Sequence, residues 1–265
     1  MKAVVITTPG DPSVLQLQQV ETPKIGDNEV LIKIVSTAVN GADTLQRQGK
    51  YPLPPGASSY PGLECSGTIE AVGKDVDRWK IGDQVHGGSS GIGTFAIQIA
   101  KYKGAKVFVT AGSDDKLATC KDLGADVCIN YKTEDFVARV TEETGGKGVD
   151  VILDSIGGPY FQKNINSLAI DGRLFLLGFL GGPVAEVNLA FILARRLTVH
   201  GAGLRTRSLE KKAEIVEEVE KNVWPAIAEG KVKPVIYKAF PLSEAAQAHQ
   251  LMETSNHIGK ILLLA

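Results

Sequence analysis

The sequence lacks a strong net charge, a long apolar run and paired cysteines. Its 29 basic and 30 acidic residues nearly cancel, so charge gives no reason to expect nucleic acid or an anionic membrane as a partner. No apolar stretch approaches the roughly 18 residues of a membrane span, and the N-terminal MKAVVITTPGD is too short for a signal peptide. Cys65, Cys120 and Cys128 show no pair or metal spacing. We therefore expect reduced thiols and a cytoplasmic protein.

The first 85 residues are typical of β-structure. Lys2–Thr8, Glu29–Val39 and Glu64–Val72 are rich in Val, Ile and Thr, and proline and glycine punctuate the sequence between them. One short helix is predicted over Asn40–Gln48. This pattern indicates an antiparallel barrel or sandwich, to which the tail adds strands at Val235–Phe240 and Ile258–Leu264 around a short helix.

From Gly91 onward, predicted helices and strands alternate, which indicates a parallel sheet with helices on both faces. The predicted helices are Gly91–Tyr102, Asp114–Leu123, Thr133–Thr144, Tyr160–Leu168 and Ser208–Glu229. The predicted strands are Lys106–Thr110, Val127–Asn130, Val149–Asp154 and Arg173–Gly178.

A glycine cluster opens this second region. Residues His86–Gly93 read HGGSSGIG and lead directly into a predicted helix. Glycines let the backbone approach a phosphate closely, and a helix N-terminus offers unpaired N–H groups and the positive end of its dipole. The cluster therefore predicts a dinucleotide-binding site.

The end of the next predicted strand bears on which dinucleotide is bound. An NAD-binding sheet places an acidic residue there for the ribose hydroxyls, whereas this chain has Ala111, Gly112 and Ser113, with Lys116 following. A small residue, a hydroxyl and a cation suit a 2′-phosphate and favour NADP(H). Ser113 also fits the N-cap of the helix that begins at Asp114, and both interpretations can hold together.

Ten segments, taken in order, resemble a known family. They are Asn40–Ser58, Pro61–Gly73, Trp79–Val85, Gly87–Lys101, Thr110–Leu117, Leu123–Lys132, Gly148–Gly158, Asp171–Gly182, Leu204–Ser208 and Asn256–Leu263. They are similar to the zinc-independent quinone oxidoreductases of the medium-chain dehydrogenase/reductase superfamily, and most similar to the p53-inducible type. The resemblance implies an α/β plus β fold, with a GroES-like partial β-barrel and a doubly wound Rossmann-type parallel sheet. It also implies NADPH-dependent reduction of a small-molecule quinone or enone by hydride transfer without metal.

The resemblance further implies which residues surround the cofactor. The pyrophosphate would contact Ser90, Gly91 and Ile92, and the adenosine 2′-phosphate would contact Gly112, Ser113, Lys116 and Tyr131. The nicotinamide and its ribose would be bordered by Ser155, Phe179, Leu180, Gly203, Leu204 and Arg205. Asn40, Asn256, Gly259 and Lys260 would close over the cofactor from the barrel side.

Tyr51 is the candidate catalytic side chain, because it resembles the residue that lines the family's substrate pocket. It fits equally a turn tyrosine packed beside the prolines at 52–55. A quinone that accepts hydride becomes a delocalised oxyanion that water can protonate, so the implied reaction requires no dedicated acid.

Metal is not expected. Where zinc-dependent relatives place a Cys and a His-Glu pair, this chain has Val39–Ala42 and Leu63-Glu64, and it has no four-cysteine cluster. The four histidines are scattered along the chain. The strand Leu197–Gly203 resembles the family's dimer-forming edge, which implies a possible homodimer.

The junction between Val85 and His86 departs from the family pattern. The family has a stretch of roughly 60 residues there, which includes the first strand of the nucleotide-binding sheet. We therefore expect an incomplete barrel domain (residues 1–85 and 235–265) and a nucleotide-binding domain (residues 86–234) without its usual first strand, unless Val85 and its neighbours replace that strand. Two hypotheses follow: a reductase that tolerates the shortening, or a catalytically impaired short form that acts through partner association or dimerisation.

Overall fold

The computed structural model describes residues 1–87 and 91–265. The elements of the first part of the chain are β1 (Lys2–Ile6), β2 (Leu15–Gln19), β3 (Val30–Val39), α1 (Gly41–Arg47), β4 (Cys65–Val72) and β5 (Gln84–Gly87). They are followed by α2 (Ile92–Tyr102), β6 (Phe108–Ala111), α3 (Asp114–Asp122), β7 (Val127–Asn130), α4 (Phe136–Glu143), β8 (Val149–Asp154), α5 (Gly158–Ser167) and β9 (Leu168–Leu176). The remaining elements are α6 (Ala190–Arg195), β10 (Thr198–Gly201), α7 (Leu209–Asn222), α8 (Trp224–Ala228), β11 (Ile236–Pro241), α9 (Ala245–Thr254) and β12 (Lys260–Leu264).

Residues 1–96 and 232–265 form the first of two compact units, built on a five-stranded sheet in the order β11–β12–β3–β4–β5. The central strand β3 is antiparallel to both β12 and β4, while β11 and β12 are parallel. Strands β1 and β2 pair separately. Within the described residues β11 and β5 remain unpaired edges, so the sheet is an open, partial barrel.

The core of this first unit joins its sheet to α9. Val39 of β3 and Ile261 of β12 are paired across the sheet, and they belong to one buried cluster with Phe240 and Ala248. The alternation of apolar side chains along β12 and the apolar face of α9 therefore meet in a single core.

Strand β5 belongs to this barrel-like sheet. Cys65 to Thr68 of β4 pair antiparallel with Gly87 to Gln84 of β5, and Val85 lies opposite Gly67. The alternative that Val85 and its neighbours replace the first strand of the parallel sheet is therefore wrong.

Residues 97–231 form the second unit, in which every strand pairing is parallel, as predicted. The strands form two separate sheets, β6–β7 and β8–β9–β10. In the common doubly wound order 3-2-1-4-5-6, strand 1 lies between strands 2 and 4. If β6 to β10 correspond to strands 2 to 6 of that order, the gap between β6 and β8 lies where strand 1 would be.

The two largest departures from the predicted boundaries in the second unit have clear physical causes. The helix predicted over Ser208–Glu229 is two helices, α7 and α8, because Pro225 lies in the first turn of α8 and cannot continue a helix from the preceding turn. Strand β9 begins at Leu168, five residues before the predicted Arg173, because Leu168 pairs with Val149 and is buried in one cluster with Leu174. The predicted domain limits at residues 85 and 234 stay a prediction.

In the described part of the chain, no helix is both long enough and apolar enough to cross a membrane.

Candidate functional site

A buried polar cluster lies on the sheet of the first unit. Lys260, the first residue of β12, donates from Nζ to Glu64 Oε2 at 2.6 Å. Asn40, which precedes α1, donates from Nδ2 to Glu64 Oε1 at 2.9 Å and to the Ala38 carbonyl at 3.1 Å. Since β3 lies between β12 and β4, it brings together three residues that are far apart in sequence.

Asp43 supports this cluster from the first turn of α1. Its Oδ2 accepts from the Asn40 backbone N–H at 2.7 Å and its Oδ1 accepts from the Gly62 N–H at 3.1 Å. Burial raises the pKa of Asp43, the two backbone hydrogen bonds oppose that shift, and the nearby Glu64 carboxylate adds to it. Asp43 therefore links the backbone of Asn40, before α1, to the backbone of Gly62, two residues before Glu64.

The start of α2 lies beside the same cluster. Gly91 has φ +73°, and a Cβ on it would lie 3.7 Å from Gly259 Cα and 3.7 Å from Lys260 Cγ. Gly259 has φ +91°, and its own Cβ would lie 2.2 Å from the Val235 carbonyl oxygen, so only glycine fits there. The structure thus brings together the predicted Gly91, Gly259 and Lys260, with Ile92 as the first residue of α2, whereas Ser90 lies outside the described residues.

The residues predicted to surround the 2′-phosphate lie together in the second unit, at the ends of β6 and β7. A Cβ on Gly112 would lie 2.5 Å from Tyr131 Oη, so the tyrosine occupies the space that a larger residue would fill. Ser113 is at the N-cap position of α3, but its side chain makes no capping hydrogen bond. Lys116 follows in the first turn of the same helix.

A second group in this unit surrounds the end of β8. Buried Asp154 accepts from the N–H of Ile156 at 2.7 Å and from the N–H of Gly157 at 3.1 Å, and so orders the loop that contains Ser155. The Ser155 carbonyl accepts from the Leu180 N–H at 2.9 Å. A Cβ on Gly157 would lie 2.6 Å from Phe179 Cδ1. The structure therefore brings the predicted Ser155, Phe179 and Leu180 together.

The remaining predicted residues lie in irregular segments. Gly203, Leu204 and Arg205 follow β10, where the Gly203 carbonyl accepts from Arg207 Nε at 2.9 Å and the Arg205 carbonyl accepts from Lys212 Nζ at 3.1 Å. Tyr51 is half-buried between α1 and β4, and Asn256 is exposed in the turn after α9. Their predicted roles stay predictions.

Three residues that order these groups were not predicted as site residues: Asp43, Glu64 and Asp154. Asp43 follows Asn40 at the spacing of a capping box, so a sequence signal was available for it. Glu64 gave no such signal, because its partner Lys260 is 196 residues away in sequence.

The residues at the zinc-type position do not fit a metal. The Glu64 carboxylate is committed to the Lys260 ammonium and the Asn40 amide, and a cation at that carboxylate would meet the ammonium directly. Among the described residues, no group of three or more His, Cys, Asp and Glu side chains is placed to hold a metal ion.

Two protein-family models match overlapping parts of the chain. The model described as zinc-binding dehydrogenase matches residues 91–221. The model described as alcohol dehydrogenase GroES-like domain matches residues 26–125.

Curated relatives match the chain over nearly their whole length. Quinone oxidoreductase of Rattus norvegicus is 27% identical, over 100% of this chain and 98% of that protein. Quinone oxidoreductase of Pseudomonas aeruginosa is 27% identical, over 96% and 97% respectively. The rat alignment extends over 327 positions against 265 residues here, a difference of 62, so at least that many positions face no residue of this chain. That difference agrees in size with the predicted missing stretch.

Solved structures share the fold. The structure of Escherichia coli quinone oxidoreductase complexed with NADPH has a TM-score of 0.84 and 25% identity, covering 100% of both chains. The structure of Pseudomonas syringae quinone oxidoreductase has a TM-score of 0.83 and 26% identity, covering 100% of this chain and 99% of the other. Together with the family models, they confirm the predicted fold class, a GroES-like partial barrel with a Rossmann-type domain.

Proposed function

Because this chain belongs to the medium-chain dehydrogenase/reductase superfamily, we propose that it transfers a hydride from NADPH to a quinone or a related enone. The observation that carries the choice of cofactor is the group at the ends of β6 and β7. There Gly112 leaves room for the Tyr131 hydroxyl, and Ser113 and Lys116 follow within one turn of α3. A serine hydroxyl, a phenol and an ammonium at the ends of these two strands suit a phosphate on the adenine ribose better than two ribose hydroxyls.

The cofactor would supply the hydride, and the chain would supply binding, orientation and exclusion of water. In the first unit, Gly91 and Ile92 would offer backbone N–H groups to the pyrophosphate, while Asn40 and Lys260 would face it from the sheet. In the second unit, the loop ordered by Asp154 would place Ser155 and Leu180 beside the nicotinamide.

On the acceptor side we propose that no metal and no dedicated acid take part. The hydroquinone oxyanion that results from hydride addition is delocalised over the ring, so water can protonate it. Tyr51, half-buried in the loop before β4, would line the acceptor site. We also propose a cytoplasmic location, and a homodimer that forms through the edge strand β10.

Lys116 tests the choice between NADPH and NADH. We expect Lys116→Met to raise the Kd of NADPH about tenfold or more, because a charge-assisted hydrogen bond to phosphate contributes about 1.5–3 kcal/mol. The Kd of NADH should change little. Fluorescence titration of the reduced nicotinamide measures both constants.

The matched control is Lys121→Met, which removes the same charge from the last turn of the same helix. This variant should bind NADPH as the unmodified protein does. An equal loss for both variants would show that net charge alone accounts for the effect, and would contradict a 2′-phosphate site at Lys116.

Activity is tested by quinone-dependent oxidation of NADPH. Saturable NADPH binding together with turnover would contradict a catalytically impaired short form. A folded protein that neither binds NADPH nor oxidises it would contradict the proposed function.

A further inference from the structure

The Glu64 carboxylate is the centre of the buried cluster in the first unit. The Lys260 side chain is 9% exposed and the Glu64 side chain is 8% exposed, and their charged atoms are 2.6 Å apart. The second carboxylate oxygen accepts from Asn40. One side chain therefore holds both Lys260 and Asn40, which face the cofactor in the proposed function.

The backbone of Glu64 is itself fixed. Thr37 of β3 donates from Oγ1 to the Glu64 carbonyl at 2.7 Å, and the next residue begins β4. Lys260 begins β12 on the other side of β3, with its N–H donating to the Val235 carbonyl at 2.7 Å. The two charged residues are thus held on either side of the central strand of the sheet.

The amide of Asn40 has one orientation in this arrangement. Both hydrogen bonds from Nδ2 are committed, one to Glu64 and one to the Ala38 carbonyl. The carbonyl oxygen of the side chain then faces the first turn of α1, where Asn40 and Asp43 form a capping box. A carbonyl oxygen has two lone pairs, so it can also accept from a hydroxyl such as those of a ribose.

Stability alone does not explain a pair of this kind. Removing two charges from water costs several kcal/mol per ion, and apolar side chains of similar size often serve as well or better. The stem of Lys260 also passes close to Gly91, at the start of the helix to which the pyrophosphate is assigned. The position of the pair therefore points to a role in binding an anionic ligand.

We infer that Glu64 is a positioning residue for the cofactor: its carboxylate fixes the Lys260 ammonium beside the pyrophosphate and orients the Asn40 carbonyl toward a ribose hydroxyl. This inference rests on the proposed function. Glu64 touches neither the cofactor nor the acceptor in this assignment, so it acts only through its two partners.

The test compares Glu64→Gln in two backgrounds. In the otherwise unmodified chain, Glu64→Gln should raise the Kd of NADPH about tenfold, because a neutral amide has only one acceptor oxygen and cannot hold both the Lys260 ammonium and the Asn40 amide. In a chain that already carries Asn40→Ala and Lys260→Met, the same substitution should change the Kd less than about twofold, since nothing remains to be positioned. A residue with a merely structural role would give the same factor in both backgrounds.

Steady-state kinetics and a conservative variant give a second measurement. Glu64→Gln should raise the KM for NADPH while kcat at saturating NADPH stays within about twofold. Lys260→Arg keeps the charge and the pair, so its Kd should stay within about threefold of the unmodified value, whereas Lys260→Met should match Glu64→Gln. If circular dichroism shows that Glu64→Gln does not fold, Glu64→Asp, which keeps the charge but shortens the side chain by one methylene, takes its place in both backgrounds and should show the same contrast in Kd.

Asp171→Asn is the matched control. Asp171 is an exposed carboxylate of the second unit that accepts two hydrogen bonds from Arg196, at 2.8 and 2.7 Å, and its loss should leave NADPH binding unchanged. If the unmodified chain binds NADPH and Glu64→Gln binds it equally well, this inference alone is overturned. If the unmodified chain does not bind NADPH, the proposed function fails first and the inference fails with it.

Discussion

His249 is a buried imidazole that the proposed reaction does not use. It lies on α9 beside the buried Arg47, which donates to Glu253 and to the Gly10 carbonyl. No described residue makes a hydrogen bond to His249 Nδ1. Burial, reinforced by the Arg47 charge, lowers the pKa of His249 from 6.5 to about 4.

This shift predicts a loss of stability in acid. Between pH 6.5 and about 4 the unfolded chain binds a proton at His249 that the folded chain does not, so the free energy of unfolding falls as the pH falls through that window. The loss should reach about 3 kcal/mol near pH 4, of which about 2 kcal/mol is already lost at pH 5. Urea unfolding at pH 7.5, 6 and 5 measures it.

Two variants separate this effect from general acid destabilisation. His249→Gln should flatten the dependence between pH 7.5 and 5, and His200→Gln, which changes an exposed histidine of β10, should retain it. Equal pH profiles for the unmodified chain and His249→Gln would contradict a buried neutral imidazole.

At the residue scale, the sequence predicted local groups and missed long-range ones. Gly112 and Tyr131 were predicted to share a site, and the structure brings them into contact, because both follow adjacent parallel strands. Glu64 was missed because its partners Asn40 and Lys260 are 24 and 196 residues away in sequence. Asp154 was missed although it accepts from the N–H groups two and three residues further on, at the spacing of an Asx turn. Their roles become visible only in the hydrogen bonds.

At the element scale, β8 is one of the two strands that would border the first strand of a complete doubly wound sheet. Strands in the interior of a doubly wound sheet are covered on both faces. In the described part of the chain β8 is instead an edge strand, and its Val151 and Leu153 are 41% and 49% exposed. The adjacent strand β9 has Leu174 fully buried.

This contrast predicts unequal costs for the same substitution. Leu174→Ala should lower the free energy of unfolding by about 2–5 kcal/mol, whereas Leu153→Ala should lower it by less than about 1 kcal/mol. Both leucines are in one three-stranded sheet, so each variant is the control for the other. Similar losses in urea unfolding would mean that the side chain of Leu153 is covered.

Most elements could be predicted from periodicity, and the exceptions have local causes. Strand β8 has the predicted limits, Val149–Asp154, because a short apolar run ending in Asp marks it clearly. The separation of β6–β7 from β8–β10 is consistent with the predicted loss of a central strand. The pairing of β5 with β4 could not be predicted, because a four-residue strand fits equally well at the edge of the barrel-like sheet and as the first strand of the parallel sheet.

At the scale of the whole molecule, the two compact units differ in how their apolar side chains are grouped. Among its described residues, the first unit has one cluster of eight buried residues. The second unit has three clusters, of four, four and three buried residues. Because cooperative stability grows with contiguous buried apolar area, the second unit should be the less stable one.

The two tryptophans allow this to be measured, because Trp79 belongs to the first unit and Trp224 to the second. In urea, the Trp79→Phe variant reports the second unit and should show a midpoint at least about 0.5 M lower than the Trp224→Phe variant, which reports the first. Both substitutions replace a partly exposed indole by a smaller ring, so circular dichroism of each variant should show the same overall transition as the unmodified chain. Coincident midpoints would mean that the chain unfolds as one cooperative body despite its divided parallel sheet. A lower midpoint for Trp224→Phe, the variant that retains Trp79, would reverse the predicted order of stability.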